Sequence, residues 1–258
     1  MGDEPSLSIE LRGPVAVLQL RRPERRNAIN QSLVEQIGAF FADPPPEVAA
    51  AVLHGSGDHF CAGLDLSEHR RRNAFETVVV SRLWHRAFAA MELGRVPVVA
   101  LLKGAVIGGG LELALACHVR VAEPSAVYAL PEGRLGIFVG GGASMRASRL
   151  LGMDRVREMM LTGRRLSAQV GQQLGISHDL VGEGEGLELA MRLANTIGSN
   201  APIANFAILQ ALPRIADMPD EDGLLAESLT AALTQASDDA GEGIQAFLEK
   251  RSPKFHGR

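Results

Sequence analysis

The chain has 258 residues, of which 46% are hydrophobic and 22% charged, with a formal net charge of −4. That length suffices for one large domain or a domain with an appendage. The small negative charge argues against a general nucleic-acid binder, and no apolar run reaches the length of a membrane helix. Only two cysteines occur, Cys61 and Cys117, both in apolar or small-residue settings. They are expected to be buried free thiols rather than a disulfide or a metal site. The opening MGDEPSLS lacks the basic and apolar regions of a secretory leader, so a cytoplasmic location is expected. Gly2 and Ser6 fit a myristoylation pattern only loosely, with two acids inside it, and are read as a chance match.

Leu7 to Leu11 and Val15 to Leu20, on either side of Gly13-Pro14, predict an opening hairpin. The basic cluster Arg21, Arg22, Arg25 and Arg26 is open between a solvated loop and a phosphate clamp. Asn30 is placed to cap a helix from Gln31 to about Ala42, ended by Asp43 and three prolines. Val48 to Leu53 reads as a strand buried on both faces. His54 to Glu68, HGSGDHFCAGLDLSE, contains Gly55-x-Gly57 without the third glycine or helix spacing of a dinucleotide fingerprint. Its Ala62-Gly63-Leu64 is flexible enough to offer a backbone N–H to a ligand. Residues 70 to 93 predict one long helix, in which Trp84 and His85 are read as packing residues.

A strand from Val96 to Leu102 feeds the run KGAVIGGGLELALAC, Lys103 to Cys117. Three glycines permit a sharp turn, and an Ala/Leu-rich helix is expected from about Gly110. The first N–H groups of a helix have no partner inside it and sit at the positive end of its dipole. They therefore favour an anion or a carbonyl oxygen that is gaining charge. Glu112 falls in that first turn, where a carboxylate is either simply favoured by the dipole or placed for proton transfer. Val119 to Ala122 and Ala126 to Leu130 predict short strands. Pro131 keeps Leu130 extended, so Glu132 should emerge at a strand end rather than within a helix, as a candidate partner for Glu112. Gly133 to Gly142 reads as irregular, with a helix from about Ala143. Ser167 should cap a short helix, and Glu188 to Ile197 should form another. Beyond Pro202, three amphipathic stretches at about 202–212, 221–236 and 240–250 predict a helical layer that packs on a neighbour.

Four segments in order resemble those of the enoyl-CoA hydratase/isomerase (crotonase) family. RPERRNAIN is similar to its RPxxxNAL, FCAGLDL to its FxAGxDL, GGGLELALAC to its GGGxELAxxC, and YALPEGRLGI to its FxxPExxLGI. GIFVGGGAS departs from the usual GIxPGxGG, so the loop near Glu132 is expected to differ. Leu64 stands where Ala is common.

The resemblance implies an α/β fold, a crotonase-like spiral of ββα units with two steeply angled sheets. It puts a core with the active site at 1–198 and a helical oligomerisation region at 199–258, forming trimers or dimers of trimers. It implies the Leu64 and Gly109 amides as an oxyanion hole and Glu112 and Glu132 as catalytic carboxylates. Ala62, Asp65, Leu66, Arg25 and Arg26 would bind CoA, and Gly140 would line the water and acyl pocket. Phe247 and Lys250 would reach the CoA of an adjacent subunit. The substrate would be an acyl-CoA with a short or sulfur-bearing chain. No cofactor beyond the substrate's own coenzyme A, no metal, and neither nucleic-acid nor membrane partners are implied. Keeping both acids favours a hydratase over an isomerase of the same fold or a non-catalytic CoA-binding scaffold.

Overall fold

The computed structural model describes residues 5–68 and 72–258. The Gly2 pattern and the first two residues of the expected 70–93 helix lie outside them. Strands β1 (Leu7–Arg12) and β2 (Val15–Leu20) form the expected antiparallel hairpin, in register from Leu7 opposite Leu20 to Arg12 opposite Val15. Helix α1 (Gln31–Ala42) follows, its start fixed by Asn30, whose side chain accepts from the Leu33 N–H. Strand β3 (Ala50–Gly55) pairs in parallel with β2. Helix α2 (Ala74–Glu92) opens on a capping box in which Asn73 and Glu76 satisfy each other's backbone N–H groups. Strand β4 (Val98–Leu102) completes the first run.

After Leu102 the chain leaves the large sheet. A strand that the sequence reading does not foresee, β5 (Ala105–Ile107), precedes helix α3 (Gly109–Leu115). Strands β6 (Val119–Ala122) and β7 (Val127–Ala129) come next, then helices α4 (Ala143–Leu151) and α5 (Met153–Thr162). The helix expected near Ala143 is thus two, broken at Gly152. Short β8 (Leu166–Ser167), α6 (Ala168–Gln173) capped by Ser167, and β9 (Asp179–Leu180) lead to α7 (Gly186–Gly198). Two sheets result, six strands in the order β1-β2-β3-β4-β6-β9 and three in the order β5-β7-β8.

The large sheet is covered on both faces, which explains its unbroken apolar strands. Val15, Val17, Val52, Val99 and Val121 point toward Ala190 and Ala194 of α7. The alternate residues Ala16, Leu18, Leu20, Ala51 and Leu53 face the main core with α1, α2 and α3. Each fully buried Val or Leu contributes about 1.5–3 kcal/mol.

The C-terminal region holds four helices, α8 (Pro202–Gln210), α9 (Leu212–Ile215), α10 (Asp220–Gln235) and α11 (Asp238–Glu249), packed mainly on one another. They leave Leu224, Leu225, Leu229 and Leu233 of α10 each more than 60% exposed. Cys61 and Cys117 are free and buried, as expected, and burial pushes both thiols up to about 12. Among the described residues no helix is long and apolar enough to cross a membrane.

Candidate active site

The site begins with the fully buried Asn27. Its Oδ1 accepts from the Arg22 amide at 3.0 Å, and its Nδ2 donates to the carbonyls of Ser56 and His59 at 2.9 and 2.7 Å. This anchors residues 26–29 beside 62–65. The Ala62 N–H donates to the Arg26 carbonyl (3.0 Å), Ile29 N–H to the Gly63 carbonyl (2.7 Å) and Asp65 N–H to the Ile29 carbonyl (2.9 Å). Leu64 is flanked by the last two bonds, so its own N–H turns away from the ladder. Among the described residues that N–H meets no protein acceptor. Arg22 staples the arrangement, donating to the Ala28 carbonyl and to Asp65 Oδ2, both at 2.7 Å.

The three glycines at the start of α3 serve different ends. Gly108 alone takes a left-handed backbone, φ +53°, and a Cβ there would lie 2.7 Å from Glu132 Oε1. Gly109 and Gly110 are glycines for close approach. A Cβ on the first would strike the Trp84 ring at 2.8 Å, and one on the second the Cys61 carbonyl at 2.3 Å. As the first residue of α3, Gly109 has an N–H without an intrahelical partner. The Leu64 nitrogen would lie 3.5 Å from a Cβ on Gly109, and the Gly109 nitrogen 3.4 Å from one on Gly63, so the two free amides adjoin.

Glu112, in the first turn of α3, is buried, and its Oε1 accepts from the N–H groups of Gly141 (2.7 Å) and Ala143 (3.0 Å). Glu132 is also buried, but it opens a 3-10 turn, Glu132–Leu135, rather than ending a strand. Strand β7 stops at Ala129, and Pro131 directs the chain into that turn. Among the described residues Glu132 Oε2 is buried without a hydrogen-bond partner. Burial pushes this carboxyl up to about 7, its own backbone amide opposing the rise and the Glu112 carboxylate adding to it.

Both acids and both amides border one cavity of about 420 Å³ with an apolar wall that includes Leu66, Val80, Leu135 and Phe138. Ala62, Leu64, Leu66, Gly109, Glu112, Glu132 and Gly140 all line it. Asp65 does not: its carboxylate is occupied by Arg22 and by the Ser67 amide and hydroxyl. Arg25 and Arg26 are exposed outside the cavity, and so are Phe247 and Lys250 at the end of α11. Within the basic cluster, Arg22 is a structural ion pair with Asp65. Trp84 packs as expected and also forms cavity wall, whereas His85 stays behind Ser81, its Nε2 3.4 Å from the hydroxyl.

Two contributions escaped the sequence reading. The amides of Gly141 and Ala143 hold Glu112; the helix-start pattern GGGAS, parallel to GGGLE, is the signal that points to them. Ser81 Oγ donates to the Gly140 carbonyl at 2.7 Å, and nothing in the sequence marks that serine.

A family model described as enoyl-CoA hydratase/isomerase matches residues 10–258. A 2,3-dehydroadipyl-CoA hydratase from Escherichia coli K12 is 36% identical over 248 residues, 95% of this chain and 96% of its own. A short-chain-enoyl-CoA hydratase from Clostridium acetobutylicum is 32% identical over 246 residues, 94% of each chain. A crystal structure from Rhodopseudomonas palustris CGA009, provisionally named an enoyl-CoA hydratase, superposes with a TM-score of 0.93 at 51% identity over 96% of both chains.

Proposed function

The chain belongs to the enoyl-CoA hydratase/isomerase family, and on that premise we propose that it is a hydro-lyase adding water across the 2,3 double bond of a short-chain enoyl-CoA thioester. One observation carries the reading: two carboxyl groups and two amides that meet no protein acceptor among the described residues border the same apolar cavity. The thioester carbonyl would accept from the Leu64 and Gly109 N–H groups as negative charge develops on its oxygen; losing one such donor typically costs ~3–4 kcal/mol. Glu112, oriented by its two amides, takes a proton from the water whose oxygen bonds to C3. Glu132, with its carboxyl near 7, delivers a proton to C2. Exchange with solvent restores the starting protonation of both acids.

In this reading no cofactor is needed beyond the substrate's coenzyme A, which exposed Arg25 and Arg26 are free to approach. Exposed Phe247 and Lys250 would serve a neighbouring subunit. The bare leucine face of α10 supports a homo-oligomer, a trimer or a dimer of trimers, working on cytosolic thioesters.

The test is loss of the conjugated-enoyl absorbance with crotonyl-CoA and methylthioacryloyl-CoA supplied side by side. Glu112→Gln and Glu132→Gln should each lower kcat/KM by about 10²- to 10⁴-fold. A strong bias between the two substrates assigns the acyl group. Full rate in either variant overturns the roles. Conversion of a 3-enoyl-CoA with one glutamate dispensable indicates an isomerase, and CoA binding without turnover a scaffold.

A further inference from the structure

Helix α2 braces the Glu112 corner twice. Ser81 Oγ donates to the Gly140 carbonyl, which shares its peptide unit with the Gly141 N–H held by Glu112. About three turns further along α2, Glu92 Oε2 accepts from Nε and Nη2 of Arg146 at 2.9 and 2.6 Å. Arg146 Nη1 donates in turn to the Gly141 carbonyl at 2.9 Å. The guanidinium fills the space that Gly142 leaves open: φ there is +109°, and a Cβ would lie 2.3 Å from Nη1. Gly141 is therefore gripped on both of its peptide units. Neither Arg146 nor Glu92 lines the cavity, so neither is placed to touch substrate.

We infer that Arg146, held by Glu92, is a positioning residue that fixes the Glu112 carboxylate through the Gly141 peptide. The inference rests on the reading of Glu112 as the group that activates water. A run of three glycines has little rigidity of its own, so the amides that orient Glu112 depend on what grips their carbonyls. A misplacement of about 1 Å at a reacting group can cost roughly 10²-fold in rate. Lysine would have to reach Glu92 and Gly141 from a single nitrogen on a flexible stem, whereas the guanidinium meets them with separate nitrogens in a fixed plane.

The experiment compares Arg146→Ala, Arg146→Lys, Glu92→Gln and Glu112→Gln in the full-length protein. Two reactions are followed: hydration of crotonyl-CoA and deuterium incorporation at the α-carbon of butyryl-CoA in heavy water. The second needs the oxyanion amides and Glu132 but no activated water. Arg146→Ala should lower kcat for hydration about 10- to 100-fold, leave KM within about twofold and keep the α-exchange. Arg146→Lys and Glu92→Gln should fall between it and the wild type, and they carry the same test if the alanine variant fails to fold. Hydration at the wild-type rate, or exchange lost in step with hydration, overturns the inference. Full hydration in Glu112→Gln would instead overturn the functional reading itself.

Discussion

Glu112 and Glu132 face one cavity from opposite settings. The first is carried by a helix, and one of its oxygens accepts two backbone amides. The second sits on a single 3-10 turn with one oxygen buried and, among the described residues, unpartnered. Under the proposed mechanism the contrast gives one residue type two roles: anchoring would suit Glu112 to accept a proton and desolvation would suit Glu132 to hold one.

Breaking the Glu132 side of the contrast should give the largest effect. Gly108→Ala forces an L side chain into a left-handed backbone, costing roughly 1–2 kcal/mol, and drives a methyl to 2.7 Å from Glu132 Oε1. Hydration kcat should fall about 10²-fold, with CoA affinity unchanged when measured by calorimetry. A fall in affinity alone would show that Gly108 shapes the CoA site and not the acid.

The pH profile sharpens the contrast. Because the Glu132 carboxyl sits near 7, kcat/KM should decline on the alkaline side with an apparent pKa close to that value. The decline should approach about tenfold per pH unit. A rate flat to pH 9 would remove Glu132 as the proton donor.

A smaller effect should appear in stability. The Glu132 carboxyl is raised in the folded protein above its ordinary value, so folding opposes its ionisation. Wild-type stability therefore declines as pH rises from about 4.5 to about 7 and then levels off. Glutamine cannot ionise, so the Tm advantage of Glu132→Gln over wild type should widen across that window. A gap that stays constant with pH would mean that Glu132 is solvated.

Legibility followed the range of each signal. Local ones read well: the Asn30 cap, the Ser167 cap and the hairpin about Gly13 stand where expected, and the unbroken apolar strand expected from Val48 begins two residues later, at Ala50. Short strands did not. The three residues of β5 are too few for a period and lie between glycines, so no strand is expected there. Glu132 is expected at a strand end, yet β7 stops at Ala129 and Glu132 opens a 3-10 turn whose hydrogen bonds no sequence pattern announces. The family resemblance places Asp65 at the CoA site, whereas its carboxylate is held by Arg22, 43 residues away along the chain.

By itself the sequence determined what each segment is able to be: which runs are helix or strand, where glycine permits close approach, and which two acids stand out. The tertiary structure alone decided that the Leu64 and Gly109 amides adjoin, that Gly141 and Ala143 hold Glu112, and that Glu132 is buried. The physical reason is that amide direction and desolvation depend on atoms far apart along the chain. Packing brings those atoms together, and local propensity carries no record of them.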